Sequence, residues 1–337
     1  MITVFDPAQR AHDPQFFLSS GAARRCPEKP GRIDALLGAV QRLGLPVTAP
    51  PDLGLAPIRA VHPDRYLTFL QTIHQRWTRI AGASAEVIPN IHPANRTDGY
   101  PLSAVGQAGF HQTDSACPIS AQTWGSAYAS AQTALHAADL VLRGEAAAYA
   151  LCRPPGHHAF AELAGGFCYL NNSAIAAQHL TNAGRRVAIL DVDLHHGNGT
   201  QGVFYARADV LTISLHAHPE RFYPFFWGYP EEHGAAEGEG ANLNLCLDRG
   251  TGDPGFMGAL AKACDALTVW GADTLVLALG LDAFEGDPFA GLTVTTAGFH
   301  QIGRAVASLH LPTVIVQEGG YLCPELGDNL TAVLSAF

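Results

Sequence analysis

Seven of the sixteen histidines, His157, His158, His179, His195, His196, His216 and His218, fall within 62 consecutive residues. Two tandem pairs, His157-His158 and His195-His196, stand directly after apolar runs that read as strands. Asp191, Asp193 and His195 are spaced by two, so in an extended segment they point to one side. Asp282 ends another apolar run. Asp193, His195 and Asp282 offer two carboxylates and one imidazole, a three-ligand set that leaves a fourth position open, as catalytic zinc requires. Any one of these residues alone reads as a loop-capping Asp or a turn His; together they point to a metal.

A metal-assisted hydrolysis needs a base, and the tandem pair in RPPGHHA (Arg153 to Ala159) supplies imidazoles on a turn stiffened by two prolines and a glycine. QEGGY ends the last apolar run, and Gly319-Gly320 would let Tyr321 project at the sheet edge, where a phenol can donate to an oxyanion. Taken alone, that motif reads first as an aromatic packed over a glycine turn.

The elements that must carry these residues are legible as runs. AAAYALC, RVAILDVD, VLTISLH, TLVLALGLD and TVIVQEGG are apolar along their length, as strands buried on both faces are. Between them lie helical stretches: TWGSAYASAQTALHAADLVLRG, with Thr123 as cap and Gly144 at its stop, SAIAAQHLTNAG ending at Gly184, and PGFMGALAKACDALTVWG ending at Gly271. Strand alternating with helix predicts one α/β domain over residues 1–337, a three-layer αβα sandwich on a doubly wound, mostly parallel sheet. Open sheets of this kind bind ligands at the carboxyl ends of their strands, where the histidines and aspartates fall. The stretch from about Ala83 to Pro118 has weak periodicity and several Pro, Gly and Asn residues, and reads as a long functional or interface loop.

Composition removes several classes. With 20 Lys and Arg against 30 Asp and Glu, the net charge of −10 argues against nucleic acid and would steer a cationic small molecule inward. Seven cysteines, odd in number and without a CxxC pair, signal neither a disulfide framework nor a cysteine zinc site, and read as reduced thiols. No signal peptide and no run of roughly 18 apolar residues is present, so a cytoplasmic protein without a membrane partner is expected. GAAEGEG (Gly234 to Gly240) does not open a helix after a strand and is no nucleotide loop. PERFYPFFWGY (Pro219 to Tyr229) is an aromatic loop.

In order and spacing, RPPGHHA, GGFCYLNN (Gly165 to Asn172), ILDVDLHHGNGTQ (Ile189 to Gln201), ISLH (Ile213 to His216), LGLDAFEGDP (Leu279 to Pro288) and EGGY (Glu318 to Tyr321) resemble the zinc-dependent histone deacetylase superfamily. Within it the likeness is to the bacterial acetylpolyamine amidohydrolase branch, and PEKPGR (Pro27 to Arg32), VHPDRYLTFL and SAQTW extend it over nearly the whole chain. The resemblance implies an arginase/deacetylase-like fold and a zinc deacetylase acting on a small acylated amine. Asp193, His195 and Asp282 would hold one Zn2+. His158 would be the general base and later the acid, His157 its electrostatic partner, and Tyr321 the oxyanion donor. Phe167 and Tyr223 would wall a slim channel, joined by Gly166. Asp191, beside Ser214, would support His157 and bind a structural K+ or Na+. The aromatic loop would form the channel rim, and the 83–118 segment would be an insertion that pairs two chains in a homodimer.

Three departures bear on specificity. Asn198 stands where some deacetylases place an Asp behind the base, so His158 would have a neutral partner. One wall is Tyr223 where Phe is common. Val105 and Ala116 occupy positions where polyamine-selective relatives carry acids, which leaves Asp114 and Asp98 as candidates for a cation or substrate-amide contact. Two other readings fit parts of the pattern. A binuclear manganese ureohydrolase of the arginase type would need more bridging ligands than are found. A non-catalytic module that binds an acylated amine would have no need of ligands, base and tyrosine together.

Overall fold

The computed structural model describes residues 1–93 and 99–337. Among them, strands and helices follow in the order β1 (Ile2–Val4), β2 (Phe16–Ser19), β3 (Ala22–Arg25), α1 (Gly31–Arg42), β4 (Val47–Thr48), α2 (Ala56–Arg59), α3 (Asp64–Trp77), α4 (Ala104–His111), α5 (Thr123–Leu142), β5 (Ala147–Ala150), α6 (Asn172–Asn182), β6 (Val187–Asp191), α7 (Asn198–Phe204), β7 (Val210–Ala217), β8 (Asn242–Leu247), α8 (Asp253–Trp270), β9 (Thr274–Leu279), α9 (Thr296–Ala307), β10 (Thr313–Gln317) and α10 (Leu326–Leu334). Eight strands form one sheet in the order β4-β1-β5-β10-β9-β6-β7-β8, parallel at every pairing. β2 and β3 make a separate antiparallel hairpin.

The uniformly apolar strand runs are explained by helices on both faces. Val187, Ile189, Val276 and Val314 pack toward α3, α5 and α6, whereas the alternate residues Ala188, Leu190, Leu277 and Ile315 pack toward α1, α8, α9 and α10. This is the expected three-layer α/β domain. Short β1 and β4 and the partly polar β8 are not marked by apolar runs of their own.

Helix ends follow local chemistry. Thr295 caps α9 by accepting from the Gly298 N–H at 3.0 Å, and α8 stops at Gly271, whose φ of 77° is left-handed. Thr123 is the first residue of α5 rather than its cap, because its hydroxyl instead accepts the N–H of Ser120 at 2.8 Å. The 83–118 segment is not loop throughout. Ser103 caps α4 by accepting from the Gly106 N–H, and α4 lies against α3. Among the described residues no helix is long and apolar enough to cross a membrane.

β6 and β9 are neighbours whose onward connections diverge, β6 leading to β7 on one side and β9 to β10 on the other. A crevice opens at the carboxyl ends of such a pair. The loops after β5, β6, β9 and β10 therefore converge there.

Candidate active site

Past the end of β6 the chain does not stay extended. Asp193 donates its N–H to Asp191 Oδ1 at 3.0 Å, and His195 donates its N–H to Asp193 Oδ1 at 2.8 Å, so each carboxylate closes a turn on the residue two ahead. This bend, rather than strand alternation, gathers the side chains. The turn after β9 brings in Asp282, whose Oδ1 accepts the Leu194 N–H at 2.9 Å. His195 Nδ1 then lies 3.2 Å from Asp193 Oδ1 and 3.0 Å from Asp282 Oδ2, and one ligand atom from each residue falls within 4.8 Å of the others. Gly319 donates to Asp193 Oδ2 at 2.8 Å, and a Cβ on it would strike both carboxylates. Gly280 likewise leaves room only for Asp193. Two aspartates with no solvent exposure side by side call for positive charge between them, and an open two-carboxylate, one-imidazole set fits a divalent ion.

The tandem histidines sit after β5. His157 Nδ1 is 2.9 Å from Asp191 Oδ2, and His158 Nδ1 is 2.7 Å from Asn198 Oδ1. Burial, reinforced by the neighbouring His157 and His195, holds His158 well below the usual histidine range, against the Asn198 hydrogen bond. That direction favours the neutral imidazole. Sequence reasoning missed what holds this turn: Glu318, fully buried at the end of β10, accepts from the N–H groups of Gly156 at 2.6 Å and His157 at 3.0 Å and from Ser173 Oγ at 2.7 Å. Burial pushes its carboxyl up to about 7.

Tyr321 is not at the sheet edge. β10 is an interior strand, and Gly320, at φ 104°, swings the chain so that the phenol ring meets Phe289 at 4.6 Å. Burial, then the Asp282 charge, holds the phenol well above its ordinary value, so it stays a donor. Behind it lies a buried ionic cluster that the PEKPGR motif did not disclose. Arg32 donates to the carbonyls of Gly320 and Glu318, both at 2.6 Å, and to Glu28 Oε1 at 2.7 Å, while Arg153 donates to the same Glu28 oxygen at 2.8 Å. Its members are up to 288 residues apart in the chain, and no local pattern could have joined them.

His158, His195 and Tyr321 line one cavity of about 890 Å³. Phe167, Gly166, Tyr223 and Asp114 line it too. A Cβ on Gly166 would strike the His158 ring and crowd Tyr223, so only glycine passes there. Tyr223 donates to Asp114 Oδ2 at 2.6 Å, which ties the wall in place. Ala116 lines the cavity, whereas Val105 lies on α4 against the core and does not. Asp98 lies outside the described residues. His196 turns away from the cavity toward Gln201 and Asn244. Asp191 and Ser214 are cross-strand neighbours lining a separate small cavity of about 10 Å³.

A sheet of this topology with this cluster at its switch point fits the α/β metal-dependent hydrolases, and residues 26–337 match the histone deacetylase domain. The chain belongs to that family. Over its full length it is 45% identical to an acetylpolyamine amidohydrolase of Burkholderia pseudomallei (strain 1710b), covering 98% of that protein. It is 42% identical to acetylpolyamine amidohydrolase 1 of Pseudomonas aeruginosa, covering all of this chain and 99% of the relative. A crystal structure of an acetylpolyamine aminohydrolase from Burkholderia pseudomallei superposes with a TM-score of 0.97 at 45% identity, covering 100% of this chain and 98% of the other.

Proposed function

We propose that this protein hydrolyses the amide of an acetylated amine, with Asp193, His195 and Asp282 holding one zinc ion. The observation that carries the reading is that His195, His158 and the buried Tyr321 phenol line one cavity, with Asp193 and Asp282 clustered against His195 behind it. The relatives' names support an acylated amine as the substrate class. A zinc ion held there supplies a Lewis acid for the amide carbonyl and lowers the pKa of a nearby water.

The chain's own groups do the rest. Asn198 Oδ1 takes the hydrogen bond from His158 Nδ1, which leaves Nε2 as the atom that accepts a proton from the attacking water and passes it to the departing amine. His157, anchored on Asp191, stands beside it as its electrostatic partner. The Tyr321 phenol donates to the oxyanion. Phe167 and Tyr223 confine the slim part of the substrate, and Asp191 with Ser214 holds a monovalent cation that steadies the turn after β6.

Purified protein loaded with zinc should release acetate from an acetylated alkylamine, carry about one zinc per chain, lose activity on chelation and regain it with zinc. Turnover that persists after thorough chelation contradicts the reading.

A further inference from the structure

Tyr321 reaches the cavity from a turn that its own sequence does not stiffen. Gly319 and Gly320 precede it, and Gly320 stands at φ 104°. Two consecutive glycines leave the backbone wide freedom, so the place of the phenol has to be imposed from outside the turn. Asp193 takes the Gly319 N–H, and Arg32 donates to the Gly320 carbonyl. The Tyr321 N–H itself donates to Asp287 Oδ2 at 2.9 Å. Asp287 is 4% exposed, and its other oxygen, Oδ1, accepts the Phe289 N–H at 2.9 Å.

These two bonds close a ring of contacts. The Phe289 ring meets that of Tyr321 at 4.6 Å and that of His195 at 5.2 Å, both edge to face. One carboxylate therefore fixes the backbone on either side of the aromatic pair that carries the phenol beside a metal-ligand candidate. Asp287 follows Asp282 by five residues in the segment after β9. The loop that would supply a ligand thus also sets where the phenol stands relative to it. Both Asp287 oxygens act as acceptors. An amide in this place would keep one acceptor and turn its N–H groups toward the other backbone N–H, leaving a buried donor unpaired.

We propose, resting on the amide hydrolysis put forward above, that Asp287 is a positioning residue: it clamps the backbone of Tyr321 and Phe289 so that the phenol stands where the oxyanion forms. Asp287 is not among the residues that line the cavity, so it acts through Tyr321.

Asp287→Asn in the zinc-loaded protein should lower kcat for an acetylated alkylamine about tenfold or more, with KM within about twofold and zinc content unchanged. A merely structural role would cost the same in any background, so the same substitution is made in Tyr321→Phe. There it should lower kcat by less than about twofold, because the hydroxyl being positioned is already gone. Near-normal kcat in Asp287→Asn, an equal loss in both backgrounds, or loss of zinc would overturn the clamp. Should Asp287→Asn fail to fold by its melting profile, Phe289→Leu removes the ring half of the clamp and should show the same dependence on the Tyr321 hydroxyl; an equal loss with and without that hydroxyl overturns the clamp there too. Crystal structures of the unmodified protein and Asp287→Asn separate the clamp from the reaction. With no turnover in the unmodified protein, a displaced Tyr321 ring over an unchanged Asp193, His195 and Asp282 cluster would keep the clamp and remove the hydrolysis, whereas an unmoved ring would remove the clamp.

Discussion

The floor and the rim of the cavity are built by opposite means. On the floor, Asp193 and Asp282 are fully buried, His195 is 6% exposed, Asp193 is fixed by backbone N–H groups from the loops after β6 and β10, and Asp282 by one from the loop after β6. At the rim, Phe226 is 85% exposed and Phe225 48%, and the loop that carries them is tied down by side chains: Glu232 accepts from the Gly228 N–H at 2.8 Å, His216 Nε2 lies 2.8 Å from the Gly228 carbonyl, and Asn244 Nδ2 donates to the Tyr229 carbonyl at 3.0 Å. Reaction geometry thus rests on the sheet itself, where moving one group strains several others. In the proposed reaction, substrate choice would rest on a loop that can change with little effect on the groups below.

Breaking the floor should cost most. His158→Ala removes the proposed proton carrier and should lower kcat by about 10²- to 10⁴-fold with zinc content unchanged; steady-state kinetics beside elemental analysis measures both. Near-normal turnover would remove His158 from its role.

The support beneath the floor should show in stability against pH. His62 is fully buried, with Nδ1 3.0 Å from the Ala161 carbonyl and Nε2 accepting the Asn171 N–H at 2.9 Å, and burial lowers it from 6.5 to about 4. Its neutral form is the folded form. Above pH 6.5 it costs nothing; as pH falls from 6.5 toward 4 the unfolded chain gains a proton that the folded chain refuses, and stability drops by up to ~3 kcal/mol from this group. Denaturant unfolding across pH 8 to 4 should show that decline, to which the likewise lowered His12 and His216 add, and His62→Gln should make it shallower; an equally steep decline in the variant would assign the effect to other groups.

Disturbing the rim should cost least. Phe226→Ala removes an exposed ring and should leave unfolding stability within about 0.5 kcal/mol, while any change in kinetics falls on KM rather than kcat. A large fall in kcat would show that the rim and the floor are coupled after all.

The same contrast explains what the sequence disclosed. The five central strands were readable because a parallel sheet covered on both faces needs unbroken apolar runs, and the histidines and aspartates were readable because they follow those runs directly. Short β4 and partly polar β8 lacked such runs. α4 was hidden by two glycines within eight residues, Gly106 and Gly109, although Ser103 was available as a cap signal. The joining of Glu28, Arg32 and Arg153, the grip of Glu318 on the tandem-histidine turn, and the interior placement of Tyr321 depend on strand order. Spacing along one chain does not contain that order.

In the proposed reaction a buried phenol and the three-ligand cluster act together on one amide. The most direct measurement is kcat for Tyr321→Phe, taken with zinc content and a melting profile on the same preparation. The account predicts a fall of about 10²-fold or more with one zinc per chain and an unchanged fold, because only the hydroxyl is lost. A variant that binds zinc, folds normally and hydrolyses the acetylated amine at the original rate would contradict it.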